Sequence, residues 1–333
     1  MSDHAMKYVM LTGHRKSGTT LLHKLFDGHT ELNVYPVDIS LLYAFYPCWS
    51  RSCSSVDEKK SRITEVLKSS TARFVGESVS YNINSFNPDD FIEIFWNRSD
   101  VDHLLRPSEI IKAVAEAYCD YAGLDKSQPF LFKETSQAIN FQGMVDDGLD
   151  IDCVQIIRDP RDNYAAIKAG VAGYYLNMNE DEKESLASVL NRASLDLDLA
   201  GDLSTDYHNH FSTIRFEDLA TSPCEELIKL TERLNIAWNE SLLRPTFLGH
   251  DFAGNNHHGK KFNGISAEHM GKWPERISAF EAAVIEGWMH RSLETWGYAQ
   301  AYTKKEQRKA LQEFYAWYNC RYFYRDSFGV DKQ

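Results

Sequence analysis

A short apolar segment that runs into a glycine-containing loop and then into an amphipathic helix is the most constraining feature of this 333-residue chain. Residues 8–11, Tyr-Val-Met-Leu, have the length and composition of a buried strand, and apolar residues recur at helical spacing from Leu21 to Phe26. Glycines at 13 and 18 let backbone amides turn inward, and the helix start adds unpaired N–H groups and a positive dipole end. The segment therefore predicts an anion-binding loop over residues 13–22.

The order of residues in this loop differs from that of nucleotide triphosphatases. Their pattern, G-x4-G-K-[ST], has a lysine directly after the second glycine, whereas here Thr19 follows Gly18 and the lysine lies inside the loop as Lys16. From that position an ammonium group can reach the bridging oxygen of a phosphosulfate, while the triphosphatase lysine reaches the last two phosphates. A P-loop kinase or nucleotide triphosphatase stays open as an alternative, as does a nucleotide-binding regulator without catalysis.

The rest of the chain alternates short apolar runs with longer helical patterns, which is typical of an α/β fold with a mostly parallel sheet between helices. Strands are expected at 8–11, 130–132, 154–157 and 211–215. Helices are expected over 107–121, after a capping box at Ser222, and around 277–288, whose apolar face should pack on the sheet. We expect one domain over residues 1–333, with its core over about 7–298 and a C-terminal helix and tail over 303–333.

A second candidate for anion binding is Arg158, which ends the apolar run 154–157. The residues after it form an ordinary helix start by themselves, with Asp159 as a cap, Pro160 in the first turn and Asp162 at the third position. That start does not explain an arginine at the end of a strand, where a guanidinium can bind a phosphate through two hydrogen bonds. We therefore predict that Arg158 binds a phosphate.

Two segments of the chain, in this order, resemble the PAPS-dependent sulfotransferase family. Residues 15–22 are similar to the family's loop for the 5′-phosphosulfate of 3′-phosphoadenosine 5′-phosphosulfate (PAPS), and residues 156–162 are similar to its 3′-phosphate motif. Residues 214–219 resemble a strand-end motif of many members, and residues 271–273 resemble the loop that closes over the cofactor. The resemblance implies an α/β fold with PAPS across the carboxyl ends of parallel strands, and in-line sulfonate transfer without a required metal.

The resemblance also implies which residues bind PAPS and its product, 3′,5′-adenosine bisphosphate. They are Arg15, Lys16, Ser17, Gly18, Thr19, Thr20 and Arg158, with Lys260 and Lys261 of the glycine-rich segment 249–271 as candidates for additional charge. Many members carry a serine eight positions after the arginine as a second 3′-phosphate ligand, but here that residue is Ala166. Asn163 and Tyr164 are further candidates for the missing ligand.

Sulfonate transfer needs a base for the acceptor and positive groups where charge builds on the leaving phosphate. Lys16 suits the second role, and Lys133 follows a strand at which related enzymes place a lysine near the sulfonate. Cytosolic relatives have a histidine base two positions after that lysine, but here the residue is Thr135, which cannot accept a proton at neutral pH. The resemblance is therefore closer to the branch of the family that uses a carboxylate base.

That branch places its carboxylate after the strand that follows the phosphate-binding helix. Residues 29–38 fit this layout, so Asp38 is the first choice for the base. Glu134 is the second choice, and His14, His257 and His258 follow.

The charge and hydropathy of the chain restrict its partners. The formal net charge is −12, from 48 acidic and 36 basic residues, which disfavours nucleic acid, an anionic membrane or a polyanionic acceptor. No segment approaches the roughly 20 apolar residues that cross a bilayer, and the first ten residues lack the order of a secretory signal. We therefore expect a cytoplasmic protein without a membrane anchor that acts on a small-molecule, carbohydrate or lipid-like acceptor.

Overall fold

The computed structural model describes residues 6–40, 55–81, 86–104, 106–170, 182–252 and 264–319. Its strands are β1 (Tyr8–Thr12), β2 (Asn33–Asp38), β3 (Phe130–Lys133), β4 (Ile151–Ile157), β5 (Phe211–Arg215), β6 (Thr246–Phe247) and β7 (His250–Asp251). The first five form a parallel sheet in the order β2-β3-β1-β4-β5, and the last two form a short antiparallel hairpin. The predicted α/β fold with a parallel central sheet is confirmed.

Helices lie on both faces of this sheet. They are α1 (Thr19–Phe26), α2 (Val56–Ser80), α3 (Pro88–Arg98), α4 (Pro107–Ala122), α5 (Phe141–Asp146), α6 (Pro160–Gly170), α7 (Glu182–Asp206), α8 (Phe216–Thr221), α9 (Pro223–Leu234), α10 (Ala279–Trp288), α11 (His290–Thr295) and α12 (Lys304–Asn319). Within the described ranges, no helix combines the length and the apolar character needed to cross a bilayer.

The central strand β1 sets the position of the functional edge. All five of its residues are buried, because apolar side chains pack on both faces. Met10 joins a cluster with α2 to α5 on one face, and Val9 and Leu11 join α1 and α9 on the other, as the alternation along a strand requires. Because β1 pairs in parallel with β3 and β4, the loops after all three strands open at the same edge.

The edge strand β2 pairs with β3 through an irregular register. Asn33 lies opposite Phe130 and Val34 opposite Leu131, but the next pair is Asp38 opposite Lys133. Between the last two pairs, β2 therefore spans four residues where β3 spans two. An irregularity of this kind is typical of edge strands and re-aims a side chain. Here it brings the carboxylate of Asp38 to the end of β3.

Two details of the expected helices differ from the structure. Ser222 precedes α9 as predicted, but its side chain makes no capping hydrogen bond, because Ser222 also closes α8 with backbone angles of −135° and 55°. The segment around 277–288 forms α10, but its apolar residues pack chiefly against α6, α7, α11 and α12, in a cluster that reaches the sheet at Ile157. These helices form an apolar cluster of their own beyond the end of β4.

Candidate active site

The loop between β1 and α1 depends on residues with unusual backbone conformations. Gly13 has a φ of 145°, and a Cβ at this position would collide with the carbonyl oxygen of Ile156. Gly18 has a φ of 101°, and its Cβ would lie 2.6 Å from the ring of Phe216. Lys16 has a φ of 66°, a conformation that costs energy in a residue with a side chain. Strained backbone of this kind is concentrated at ligand-binding sites.

Asn163, on α6, holds this loop from behind. Its amide nitrogen donates to the backbone oxygen of Arg15 at 2.8 Å and to Ser17 Oγ at 3.0 Å. Its amide oxygen lies 2.9 Å from Nδ1 of His14. Burial lowers the pKa of His14 to about 4, so the imidazole is neutral at pH 7 and donates to Asn163 through Nδ1. Both polar atoms of the Asn163 side chain therefore form hydrogen bonds to the loop.

Arg158 lies at the end of β4, directly beside the loop. Its Nη1 donates to the backbone oxygen of Lys16 at 3.0 Å, and its Nη2 donates to the backbone oxygen of His269 at 3.2 Å. Its Nε is buried and has no hydrogen-bond partner among the described residues. Burial lowers the pKa of Arg158, but a guanidinium keeps its charge in proteins. The side chain thus carries a permanent positive charge, and its Nε–H group remains available as a hydrogen-bond donor.

Residues of segments 214–219 and 271–273 bind the start of helix α6, which follows Arg158. Glu217 accepts from the backbone nitrogen of Asp159 at 2.9 Å and from the hydroxyl of Tyr298 at 3.0 Å. Asp162 accepts from the backbone nitrogens of Gly271 at 2.5 Å and Trp273 at 2.9 Å. Both carboxylates therefore fix the start of α6 to neighbouring segments, so all four segments of the resemblance meet at one place.

A cavity of about 500 Å³ opens beside the loop at the carboxyl edge of the sheet. The lining contains seven basic and two acidic side chains of the described residues: Arg15, Lys16, Lys24, Arg73, Lys133, Arg158, Arg276, Asp38 and Glu77. In a chain whose net charge is −12, such a local excess of positive charge indicates a site for an anionic ligand.

Asp38 and Lys133 form an ion pair in the wall of this cavity. Lys133 Nζ lies 2.5 Å from Asp38 Oδ2, and the hydroxyl of Thr135 donates to the same oxygen at 2.9 Å. Burial alone would raise the pKa of Asp38, but the charge of Lys133 and these hydrogen bonds outweigh burial and hold the pKa below its usual value. The carboxylate is therefore ionised at neutral pH. Its other oxygen, Oδ1, has no partner in the described part of the chain.

Glu134, the second choice for the base, lies between Lys133 and Thr135 and faces the opposite way. Its side chain is fully buried and lies outside the cavity lining, because successive side chains of an extended segment alternate in direction. Among the residues that the structure describes, Asp38 is thus the carboxylate next to Lys133.

A second cavity of about 430 Å³ adjoins the first at Asp38, Arg73 and Thr135. Its other lining residues are Ser40, Glu65, Val66 and Ser69. Asp38 therefore lies between the basic cavity and a neighbouring cavity with a mixed polar wall.

Most of the predicted site residues line the first cavity together. They are Arg15, Lys16, Gly18, Thr19, Thr20, Asp38, Lys133 and Arg158. Ser17 lies behind the loop, where its hydroxyl contacts Asn163, and Tyr164 donates its hydroxyl hydrogen to Glu281 at 2.7 Å. Lys260, Lys261, His257 and His258 lie outside the described residues. Ala166 also lines the cavity, and it offers no polar side chain.

The cavity lining also contains residues that were not predicted from the sequence, among them His23, Lys24, Arg73 and Arg276. Helical spacing could have identified the first two, because His23 and Lys24 lie one turn after Thr19 and Thr20 on α1. Arg73 and Arg276 reach the cavity from distant segments, so no local pattern indicates them.

Comparison with known proteins supports the fold assignment. No protein-family model and no curated protein matches the chain. Among solved structures, a sulfotransferase domain from the curacin biosynthetic pathway matches 88% of this chain and 98% of its own length, with a TM-score of 0.58 and 16% identity. The sulfotransferase domain of the Synechococcus PCC 7002 olefin synthase matches 89% of this chain and 97% of its own length, with a TM-score of 0.54 and 18% identity. The chain therefore has the α/β fold of sulfotransferase domains.

Proposed function

We propose that this chain is a single-domain, PAPS-dependent sulfotransferase that transfers sulfonate to a hydroxyl or amine of a small-molecule or carbohydrate acceptor. The observation that carries the proposal is the Asp38–Lys133 pair in the wall of a basic cavity that also contains the glycine loop and Arg158. A proton acceptor next to an anion-binding loop is the combination that transfer to a hydroxyl requires.

The residues of the cavity fit the anionic groups of PAPS. Phosphate and sulfonate oxygens accept hydrogen bonds, and the loop, Lys16 and Arg158 offer donors. Gly13 and Gly18 leave no space for a Cβ, so the loop keeps a backbone shape that side chains would prevent. The buried Nε of Arg158, without a partner among the described residues, is a donor that a phosphate oxygen would satisfy.

The proposed mechanism assigns roles to five cavity residues. When bound, PAPS supplies the sulfonate group and an adenosine bisphosphate leaving group. Asp38 accepts the proton of the attacking hydroxyl at Oδ1, while Lys133 and Thr135 hold Oδ2 and so orient the carboxylate. Lys16 stabilises negative charge on the leaving phosphate oxygen, and Arg158 holds the 3′-phosphate.

Calorimetric titration with 3′,5′-adenosine bisphosphate in EDTA tests the cofactor assignment. We expect tight binding by the wild type and a dissociation constant about 10- to 100-fold higher for Arg158→Ala, since hydrogen bonds to charged groups contribute about 1.5–3 kcal/mol. Arg62→Ala, on the surface of α2 next to Glu58, is the control for loss of one positive charge. Absence of binding by the wild type, or binding of a magnesium nucleotide instead, would favour the kinase or the regulator.

Transfer of radiolabelled sulfonate from PAPS tests the catalytic assignment. Asp38→Asn should bind the bisphosphate as the wild type does but lose about 10²- to 10⁴-fold in turnover, the usual contribution of a general base. A variant that turns over at the wild-type rate would show that Asp38 is not the base. A wild type that binds the bisphosphate but transfers sulfonate to no acceptor would favour the non-catalytic regulator.

A further inference from the structure

His23 lines the basic cavity and contains a buried nitrogen that accepts hydrogen bonds. The residue lies on α1 and is 1% exposed. Its Nε2 is 2.7 Å from the backbone oxygen of Tyr35. A carbonyl oxygen only accepts hydrogen bonds, so Nε2 carries the hydrogen and Nδ1 carries a lone pair. No group of the described residues donates to this Nδ1.

The surroundings keep this imidazole neutral. Burial, followed by the charges of Lys24 and Lys133, lowers the pKa of His23 well below its usual value. At neutral pH the ring therefore donates at Nε2 and accepts at Nδ1. The Nδ1 atom is not converted to a donor by protonation.

Asp38 provides a second acceptor at the same cavity. Its Oδ1 is buried and lacks a partner among the described residues, and its charge lies close enough to influence His23. Buried acceptors without donors are rare in folded proteins, so each needs an explanation, and a bound ligand that donates is one. Sulfonate and phosphate oxygens cannot meet this need, because at neutral pH they only accept. The hydroxyl groups of an acceptor substrate can supply such donors.

We infer that the acceptor is a polyol with neighbouring hydroxyl groups, one of which donates to Asp38 Oδ1 and reacts, while another donates to Nδ1 of His23. This inference rests on the proposed sulfonate transfer. A phenol or a long-chain alcohol has a single hydroxyl and leaves Nδ1 of His23 without a donor. The mixed polar wall of the adjoining cavity, with Ser40, Glu65 and Arg73, suits a hydroxylated ligand.

Three probes with the same ring separate these substrate classes: cyclohexanol, trans-cyclohexane-1,2-diol and trans-cyclohexane-1,4-diol. Sulfonate transfer from PAPS should have a kcat/KM at least about tenfold higher for the 1,2-diol than for either other ring, since a site built to bind a hydroxyl rejects analogues that lack it. Equal kcat/KM values for the three probes would overturn the inference. So would transfer to a phenol or a long-chain alcohol but to none of the rings.

Two variants of His23 test the role of Nδ1. In His23→Gln, the amide nitrogen can replace Nε2 as the donor to Tyr35, but no acceptor remains at the position of Nδ1. In His23→Asn, the amide oxygen can occupy the position of Nδ1. We expect the preference for the 1,2-diol to disappear in the glutamine variant and to be retained in part by the asparagine variant. A preference that survives in His23→Gln would contradict the inference.

His29→Gln is the matched control. His29 is also buried and also donates through Nε2 to a backbone oxygen, that of Ala237 at 2.9 Å, but its Nδ1 accepts from the backbone nitrogen of Glu31. It does not line the cavity. The control should keep the diol preference, and its loss there would assign the effect to general damage and overturn the inference.

Bisphosphate titration of each variant tests the proposed function separately. A wild type that binds no bisphosphate would remove both proposals. Intact bisphosphate binding without a diol preference would remove only the inference about the polyol.

Discussion

The guanidinium carbon of Arg158 lies 4.7 Å from the centroid of the Phe216 ring, and the same ring occupies the space that a side chain at Gly18 would need. One aromatic residue, the first of α8, thus contacts both the arginine at the end of β4 and the glycine loop. The resemblance assigned no role to Phe216, but this packing gives segment 214–219 a physical role. Phe216 thus packs against both elements of the proposed cofactor site.

Replacing Phe216 by leucine should weaken binding of 3′,5′-adenosine bisphosphate about 3- to 30-fold. The substitution keeps apolar volume but removes the ring face, and cation–π contacts contribute about 0.5–2 kcal/mol. Calorimetric titration measures the change. Phe314→Leu, which removes a buried ring in the cluster of α10 and α12, is the control and should leave the affinity as it is. Equal affinities for wild type and Phe216→Leu would count against the role of the ring.

Gly13→Ala should destabilise the protein by more than Gly148→Ala does. Both glycines have positive φ values, 145° and 79°, and a side chain in this region costs about 1–2 kcal/mol. At Gly148 a Cβ meets nothing within 4 Å, whereas at Gly13 it collides with the backbone of Ile156, which cannot move aside as a flexible side chain can. Urea unfolding of both variants gives the two free energies. Similar losses would mean that the close approach to Ile156 is not required.

Thr135→Val should shift the acid limb of the kcat/KM profile to higher pH. The hydroxyl of Thr135 stabilises the ionised form of Asp38, so its removal raises the pKa of that carboxyl, and Asp38 becomes protonated earlier as the pH falls. Because the folded-state pKa is lowered in the wild type, this group also contributes stability at neutral pH that is lost as the pH falls through the folded-state pKa. Thr135→Ser keeps the donor and should keep the wild-type profile. An unchanged profile in the valine variant would exclude Asp38 as the titrating base.

Glu286→Gln should lower the free energy of unfolding by about 3 kcal/mol, because it leaves a buried guanidinium with less counter-charge. Glu286 is fully buried and accepts from Arg161 Nη1 at 2.6 Å and from the backbone nitrogens of Ala301 and Tyr302. Asp159 still pairs with Arg161, which keeps the loss at the lower end of the range for broken buried pairs. The exposed pair of Glu294 and Lys304 supplies the control, since Glu294→Gln should change the stability by less than about 0.5 kcal/mol.

Local patterns were sufficient for most strands of the parallel sheet and for part of the site. The expected strand at 211–215 coincides with β5, and those at 8–11 and 130–132 are each one residue shorter than β1 and β3. The helix expected over 107–121 ends one residue before the observed end of α4. These elements are predictable because their apolar residues follow the period of one regular structure. By contrast, the capping box at Ser222 failed because two helices meet at that residue, a fact that a four-residue pattern does not contain.

The sequence by itself determined the glycine loop after β1, the parallel sheet and the arginine at the end of β4, because each depends on residues that are neighbours in the chain. Only the tertiary structure decided that Asp38 pairs with Lys133, since this contact requires the irregular register between β2 and β3. It also decided that Asn163 holds the loop and that His23 lies in the cavity wall. Partners 95 or 148 positions apart meet only when the sheet and its helices have packed, so no local pattern can report them.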